Sequence, residues 1–444
     1  MARKHFGTDG IRGKVGDAPM TVDFTLRLAS AAARVLAPQG GRAIIGKDTR
    51  VSGYMFESAL EAGLVAAGVD VWLTGPIPTP GIAFLTRHRG DSFGIVISAS
   101  HNPYEDNGIK FFDGTGAKLS DELEEQIEME MERGVHTQPS NHLGRARRAD
   151  AQLEAYQDFC ASTVPAGLDL TGMKLVIDCA NGAGFKVGPR LLAALGADVI
   201  PIGCSPNGRN INDGCGSTSP GLLQLTVTGV GAAAGIALDG DGDRLAMVDH
   251  LGRVMDGDQL LYIIARDRAA RGELPGPVVG TLMSNLGLEL ALRELGIGFR
   301  RAAVGDRYVL AMLKETGGVI GGETSGHILC LDRATTGDAL VSALQVLDIM
   351  RRSGQSLAAL AAGMTRLPQV MLNVRVGQRF DPATVPQVAA AVAAVEAQLA
   401  GQGRIVLRPS GTEPLIRVMV EAREEPVARG CAERIATAVR AASA

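Results

Sequence analysis

The stretch IVISASHNP, residues 95–103, is an apolar β-run that stops in a turn presenting Ser98, Ser100 and His101 ahead of Pro103. A serine held at a strand end, beside polar donors and a proline-stiffened turn, can carry a covalent group; on this stretch alone Ser98 and Ser100 are equal candidates. Outward from it, short runs rich in Val, Ile and Leu alternate with longer amphipathic, Ala-rich segments over most of the chain. That alternation is the pattern of helices packed on mostly parallel sheets, an α/β fold. It predicts strands at 43–46, 69–73, 93–97 and 175–178. Helices are predicted at 21–36 with Thr21 as N-cap, 53–67, 121–133 and 184–195. The charged run DELEEQIEMEME (121–132) keeps apolar positions among its acids and reads as a solvated helix face.

A chain of 444 residues exceeds what one hydrophobic core usually supports. The polar stretch HTQPSNHLGRARRAD (136–150) reads as a linker, and further breaks fall near 252–257 and 366–369. These cuts predict domains at 1–150, 151–254, 255–367 and 368–444, all of ordinary size. Lys plus Arg number 44 against 48 Asp plus Glu, a net charge of −4, which offers no basic footprint for nucleic acid. An anionic ligand must therefore be met locally. The cysteines 160, 179, 204, 215, 330 and 431 form no C-x-x-C pair and no zinc spacing with His, which fits reduced thiols in a cytosol. No run approaches the roughly 18 apolar residues of a membrane span. The expectation is a soluble cytoplasmic protein.

Each predicted domain carries one short run of glycine and polar residues beside an apolar strand: SASHNP (98–103), DGDGDR (239–244), GETSGH (322–327) and RPSGTEP (408–414). Ligands of open α/β sheets gather at the carboxyl ends of strands, so four such loops can converge on one cleft. Asp239, Asp241 and Asp243 alternate, and in an extended segment they share one face. Carboxylates so crowded raise one another's pKa unless a cation neutralises them. All-oxygen ligands favour a hard ion such as magnesium. A calcium EF-hand is excluded, because Arg244 stands where its glycine is required and His250 where its glutamate belongs.

RPSGTEPLIRVMVE (408–421) sets Arg408, Ser410, Thr412 and Arg417 around a turn at Gly411, a donor set suited to phosphate or, equally, to an ordinary hairpin turn. It is no Walker loop. Glu323 and Ser325 offer an acceptor and a hydroxyl for the vicinal hydroxyls of a sugar, and His327 is placed to relay a proton or to make a structural hydrogen bond. Lys110, among Ile109, Phe111 and Phe112, is expected to be desolvated with a lowered pKa, unless it snorkels to the surface. Arg12 sits in the glycine-rich FGTDGIRG (6–13). NGAGFKVG (181–188) mimics a dinucleotide fingerprint but has Val187 at the third glycine position, so it is assigned a turn-forming role.

FGTDGIRG, ISASHNP, DGDGDR, the GExSG loop and RPSGTEPLIRVMVE occur here in the order and spacing of the α-D-phosphohexomutases, and this resemblance spans residues 6–421. It implies three related α/β domains with mixed sheets and a smaller, TATA-binding-protein-like α+β domain around a central cleft. It also implies roles: Ser100 as phosphoserine and metal ligand, Asp239, Asp241 and Asp243 as magnesium ligands, and Glu323 and Ser325 on sugar hydroxyls. Arg408, Ser410, Gly411, Thr412 and Arg417 match the phosphate-binding loop. Lys110, His327 and Arg12 match residues near the transferred phosphoryl group, and Arg244 completes the metal loop. The implied reaction moves a phosphoryl group between Ser100 and either end of a sugar phosphate through a bisphosphate. Within the family, FGTDGIRG, TTGDAL (335–340) and RPSGTEPLIRVMVE resemble the branch acting on glucosamine phosphates, through glucosamine 1,6-bisphosphate, more than those acting on mannose or glucose phosphates. A non-catalytic sugar-phosphate sensor and a magnesium-dependent sugar phosphatase are the rival classes. The expected partner is a small-molecule sugar phosphate, with no nucleic acid and no membrane, and a homodimer is among the assemblies allowed.

Overall fold

The computed structural model describes residues 3–149, 151–377, 380–409 and 414–443. Its strands form four sheets. The first runs Ile11–Lys14, Asp106–Asp113, Phe93–Ile97, Gly41–Lys47, Val69–Pro76, Ala146–Arg148. Phe93–Ile97 lies inside this sheet, parallel to Gly41–Lys47, antiparallel to Asp106–Asp113, and buried at every residue. A strand covered on both faces needs apolar residues on both, so its sequence does not alternate. Ile95 and Ile97 pack with Phe24, Leu28, Phe56 and Leu60 of the helices Val22–Leu36 and Ser52–Ala66. Val96 points to the opposite face, into a core shared with Ile82 and Leu85 of helix Thr79–Arg89.

The second sheet runs Val254–Met255, Leu245–Asp249, Ala234–Leu238, Lys174–Asp178, Asp198–Ile202, and the third Phe299–Ala302, Val278–Thr281, Ile320–Gly322, Ile328–Cys330. Both are mixed: their inner strands pair in parallel, and antiparallel pairs finish one edge. The fourth, Gln369–Arg375, Leu415–Glu421, Arg404–Pro409, is antiparallel throughout and is backed by helices Pro386–Leu399 and Glu425–Ser443, an α+β unit. One continuous core joins the first three sheets, running from Val96 through Ile177 to Val278 and taking in the buried helix Ala339–Ser353. The fourth has a core of its own. Among the described residues, no helix is long and apolar enough to cross a membrane, and all six cysteines are free.

Two local expectations change. Thr21 does occupy the N-cap position, but its hydroxyl turns to Asp23 (2.6 Å) and makes no capping bond. The predicted helix 184–195 is divided into a 3-10 turn, Ala183–Phe185, and the helix Val187–Ala194. The division follows from the preceding turn, where Ala180 and Asn181 are left-handed and Ala183 N–H donates to the Gly240 carbonyl (2.8 Å) instead of entering a helical ladder. The turn-forming role read for this segment holds.

Candidate active site

Strand Phe93–Ile97 delivers Ser98 and Ser100 to its carboxyl end, where both are buried. Ser98 supports the turn: its Oγ donates to Asp48 Oδ2 (2.5 Å) and accepts from the Ser100 N–H (2.9 Å). Ser100 is left-handed, with φ of +54°, a conformation that residues other than glycine and asparagine rarely hold unaided. Arg50, with no exposed surface, pairs with Asp48 and donates through Nη2 to the Ser100 carbonyl (3.2 Å) and the Asn102 carbonyl (2.5 Å). Ser100 Oγ lies 3.2 Å from His101 Nδ1 and donates to Asp239 Oδ2 (2.6 Å), so the first and second loops do meet. Burial and the charges of Arg244 and Arg12 push the His101 pKa down to about 4, which leaves the ring neutral at neutral pH.

Asp239, Asp241 and Asp243 are buried together, with ligand oxygens within 4.8 Å of one another. The route differs from the extended segment expected. Residues 239–243 form a tight turn, with Gly242 at φ of +71° and its N–H donating to the Asp239 carbonyl (3.1 Å). The carboxylates converge because the chain folds around them. Burial and the Asp243 and Asp241 charges push Asp239 well above the usual carboxylate range. For Asp241 the desolvation penalty is outweighed by Lys110, whose Nζ lies 2.8 Å from Oδ2, and the hydroxyl of Thr79 (2.7 Å) adds to the lowering.

Lys110 corrects the sequence expectation. It is buried as read, and burial alone lowers an ammonium's pKa. Here Asp241 (2.8 Å), Asp9 (2.9 Å) and Asp243 (3.6 Å) outweigh that effect and hold Lys110 above its ordinary range. With these three carboxylates around it, its ammonium is held as a positive charge.

Beside this cluster opens a cleft of about 410 Å³, lined among others by Asp9, Arg12, Asp243, Arg244, Asp306, Glu323 and His327. Arg12 is paired with Asp9. His327 is buried, its Nδ1 3.7 Å from Asp243 and its Nε2 3.5 Å from Asp306. Glu323 Oε1 accepts from the Gly305 N–H (3.1 Å), while Ser325 is exposed. Arg408 and Arg417 stand opposite each other in register on adjacent strands of the fourth sheet. They do not line this cleft; like charges so placed are unfavourable unless an anion bridges them. Ser410, Gly411 and Thr412 lie outside the described residues.

Several polar residues here had drawn no attention in the sequence. Lys118 bridges Asp9 and Asp306, tying the first sheet's domain to the helix Asp306–Thr316 of the third. Asn212, left-handed at φ of +58°, donates through Nδ2 to the Ser100 carbonyl (2.9 Å) and the Asn102 carbonyl (3.0 Å). Asp48 and Arg50 follow the strand Gly41–Lys47, and Asp306 follows Phe299–Ala302. The strand-end rule that flagged Ser100 applies to them equally; Asn212, deep in a loop, carries no such signal.

Models of the phosphoglucomutase/phosphomannomutase family match in chain order: alpha/beta/alpha domain I at residues 3–137, domain II at 154–252, domain III at 256–367 and the C-terminal domain at 371–438. The phosphoglucosamine mutase of Aeromonas hydrophila is 56% identical over 443 residues, covering 100% of both chains, and that of Methylococcus capsulatus 57% over 441, covering 99% of both. Among solved structures, a phosphoglucomutase/phosphomannomutase family protein from Burkholderia thailandensis superposes with a TM-score of 0.80 at 24% identity, covering 98% of this chain and 97% of that one. The N-acetylphosphoglucosamine mutase of Aspergillus fumigatus, solved with GlcNAc-6P and magnesium, gives 0.70 at 20% identity, covering 99% and 96%. Four matched domains in order and full-length relatives above half identity establish that the chain belongs to the phosphoglucomutase/phosphomannomutase family.

Proposed function

We propose that the protein interconverts glucosamine 6-phosphate and glucosamine 1-phosphate, with Ser100 as the phosphoryl carrier and glucosamine 1,6-bisphosphate as intermediate, serving amino-sugar nucleotide and cell-wall precursor synthesis in the cytoplasm. The observation that carries the chemistry is the 2.6 Å bond from Ser100 Oγ to Asp239 inside a cluster of three buried carboxylates. The amino sugar is chosen from the full-length relatives named phosphoglucosamine mutase.

In each transfer the bond between Ser100 Oγ and phosphorus breaks as one forms between phosphorus and a sugar hydroxyl oxygen, and the hydroxyl proton passes to a base of the cleft. Lys110 and Arg12 present fixed positive charge to the transferring group; positioning and electrostatics carry most of such catalysis. His327 has a ring nitrogen, Nε2, that is buried without a hydrogen-bond partner among the described residues, and it is the candidate to take the proton. Glu323 and Ser325 hold the sugar hydroxyls. Arg408 and Arg417, with Ser410, Gly411 and Thr412, hold the phosphate that is not being transferred. The bisphosphate then turns over and returns its other phosphoryl group to Ser100.

The carboxylates also suit a hard divalent cation: Asp241 and Asp243 each keep a buried oxygen, Oδ1, without a hydrogen-bond partner among the described residues, and every donor in the set is oxygen. Asp239, Asp241, Asp243 and an oxygen on Ser100 would hold Mg²⁺, which when bound supplies positive charge against the phosphoryl oxygens. A glucosamine 1-phosphate assay, paired with intact mass of the wild type and Ser100→Ala, tests the reading. The variant is expected to lose both turnover and the mass of one phosphate; full activity in Ser100→Ala would overturn the carrier role. A far higher kcat/KM for mannose or glucose phosphates would overturn the sugar, and inorganic phosphate without isomerised product would mark a phosphatase.

A further inference from the structure

The hydrogen bond that joins Ser100 to the metal-loop domain cannot survive phosphorylation of Ser100. In the free serine, Oγ donates its proton to Asp239 Oδ2 (2.6 Å). Once esterified, that oxygen has no proton to donate, and the direct side-chain bond to Asp239 is lost. Contacts within the first domain, Ser98 Oγ to the Ser100 N–H and Arg50 to the Ser100 carbonyl, shape the turn but do not fix where it lies relative to Asp239.

Main-chain contacts across the two domains are indifferent to the phosphate. Asn212 supplies two of them, donating through Nδ2 to the carbonyls of Ser100 (2.9 Å) and Asn102 (3.0 Å). Its own backbone is anchored to the second domain, with its N–H on the Ala180 carbonyl (2.9 Å). Gly240 of the metal loop leaves the room: a Cβ there would stand 2.6 Å from the Ser100 carbonyl oxygen and 2.9 Å from Asn212 Nδ2. Asn is also a residue that tolerates the left-handed backbone at 212.

Resting on the phosphoserine reading above, we propose that Asn212 is a positioning residue for the phosphoenzyme. It holds the Ser100 main chain against the metal loop when the side-chain bond to Asp239 is gone, so that the phosphoryl group faces the sugar hydroxyl rather than water. The same Oγ–P bond breaks in either outcome. In transfer the new P–O bond is to the sugar and the sugar's proton leaves; in hydrolysis water takes the sugar's place and inorganic phosphate is released.

The test is single turnover of the isolated phosphoenzyme with glucosamine 6-phosphate, measuring bisphosphate formed against inorganic phosphate released, in the wild type and Asn212→Gly. Glycine keeps the positive φ and removes the amide. Transfer is expected to fall about 10²-fold, the effect of a displacement near 1 Å, while hydrolysis is unchanged or faster and the thermal midpoint stays near wild type. Unchanged partitioning, or transfer and hydrolysis falling in proportion, would overturn the proposal. If the glycine variant does not fold, Asn212→Asp, which keeps the shape and turns a carboxylate on the two carbonyls, is measured in its place. A selective loss of transfer in that variant supports the proposal, and an unchanged ratio of transfer to hydrolysis overturns it. A wild-type phosphoenzyme that releases only inorganic phosphate would instead strike the proposed function, leaving the two failures distinct.

Discussion

Arg50 has no exposed surface, and its guanidinium is paired with the carboxylate of Asp48, which is buried as completely. Removing one member of such a pair strands the other. Asp48→Ala is expected to lower unfolding free energy by about 3–5 kcal/mol, read by urea denaturation, and to release Ser98 Oγ from its acceptor. Asp258 shows burial outweighing hydrogen bonds. Its Oδ2 accepts from the Asn285 N–H and the Thr324 hydroxyl (2.8 Å each), yet burial, with Asp256 nearby, pushes its pKa up to about 6. A carboxyl raised on folding binds more protons in the native state than in the unfolded chain. Its stabilising contribution is therefore complete below about pH 4 and lost as pH rises through about 6. Asp258→Asn removes this titration. Its stability relative to wild type is expected to rise between pH 4 and 8 by up to about 3 kcal/mol; a difference that stays flat with pH would contradict the assignment.

At the level of elements, strand ends carry the chemistry because a parallel strand buried on both faces can expose polar groups only where it stops. The metal loop shows how closely two such ends approach. Gly240 lies against the Ser100 carbonyl, and the Cβ of Gly182 would sit 2.3 Å from the Gly240 carbonyl oxygen, so the Ser100 and Gly182 turns are both stacked on the loop backbone to backbone. Gly240→Ala has ordinary helix and turn propensities to recommend it and no space. The Ser100 turn must shift, and kcat is expected to fall about 10²-fold, as for a misplacement near 1 Å, with the circular dichroism of the wild type retained. Wild-type kcat in Gly240→Ala would show that the turns yield freely.

For the whole molecule, the division that matters is between one shared core and one separate core. The first three sheets are joined through apolar packing, but the fourth meets the third at a polar joint. There Glu421, fully buried, accepts from the Leu286 N–H (3.1 Å), the Asn285 amide (3.3 Å) and Arg404 (2.9 Å), while Arg404 also reaches the Leu282 and Ser284 carbonyls. Glu421→Ala leaves the Leu286 N–H without its acceptor and Arg404 without its carboxylate, a loss of about 3–5 kcal/mol concentrated at the joint. Because the C-terminal unit keeps its own core, denaturation is expected to split into two transitions, with faster proteolysis near 366–369; a single cooperative transition would show that the joint is not what couples the units. Across the cleft, Lys118 between Asp9 and Asp306 ties the first and third domains.

The sequence by itself determined the α/β class, the buried strand at 93–97, the acidic loop at 239–243 and the family, because hydrophobic period and short contiguous motifs are local patterns. It also placed Lys110 in an apolar setting. Only the tertiary structure decided what that setting does: carboxylates from 9, 241 and 243 arrive from distant parts of the chain and reverse the direction in which burial alone would move the pKa. The same holds for the turn that gathers the aspartates, where curvature rather than strand alternation does the work. Asn212 reaches Ser100 across 112 residues. Electrostatic balance and cross-domain hydrogen bonds are sums over neighbours in space, and spacing along the chain does not encode who those neighbours are.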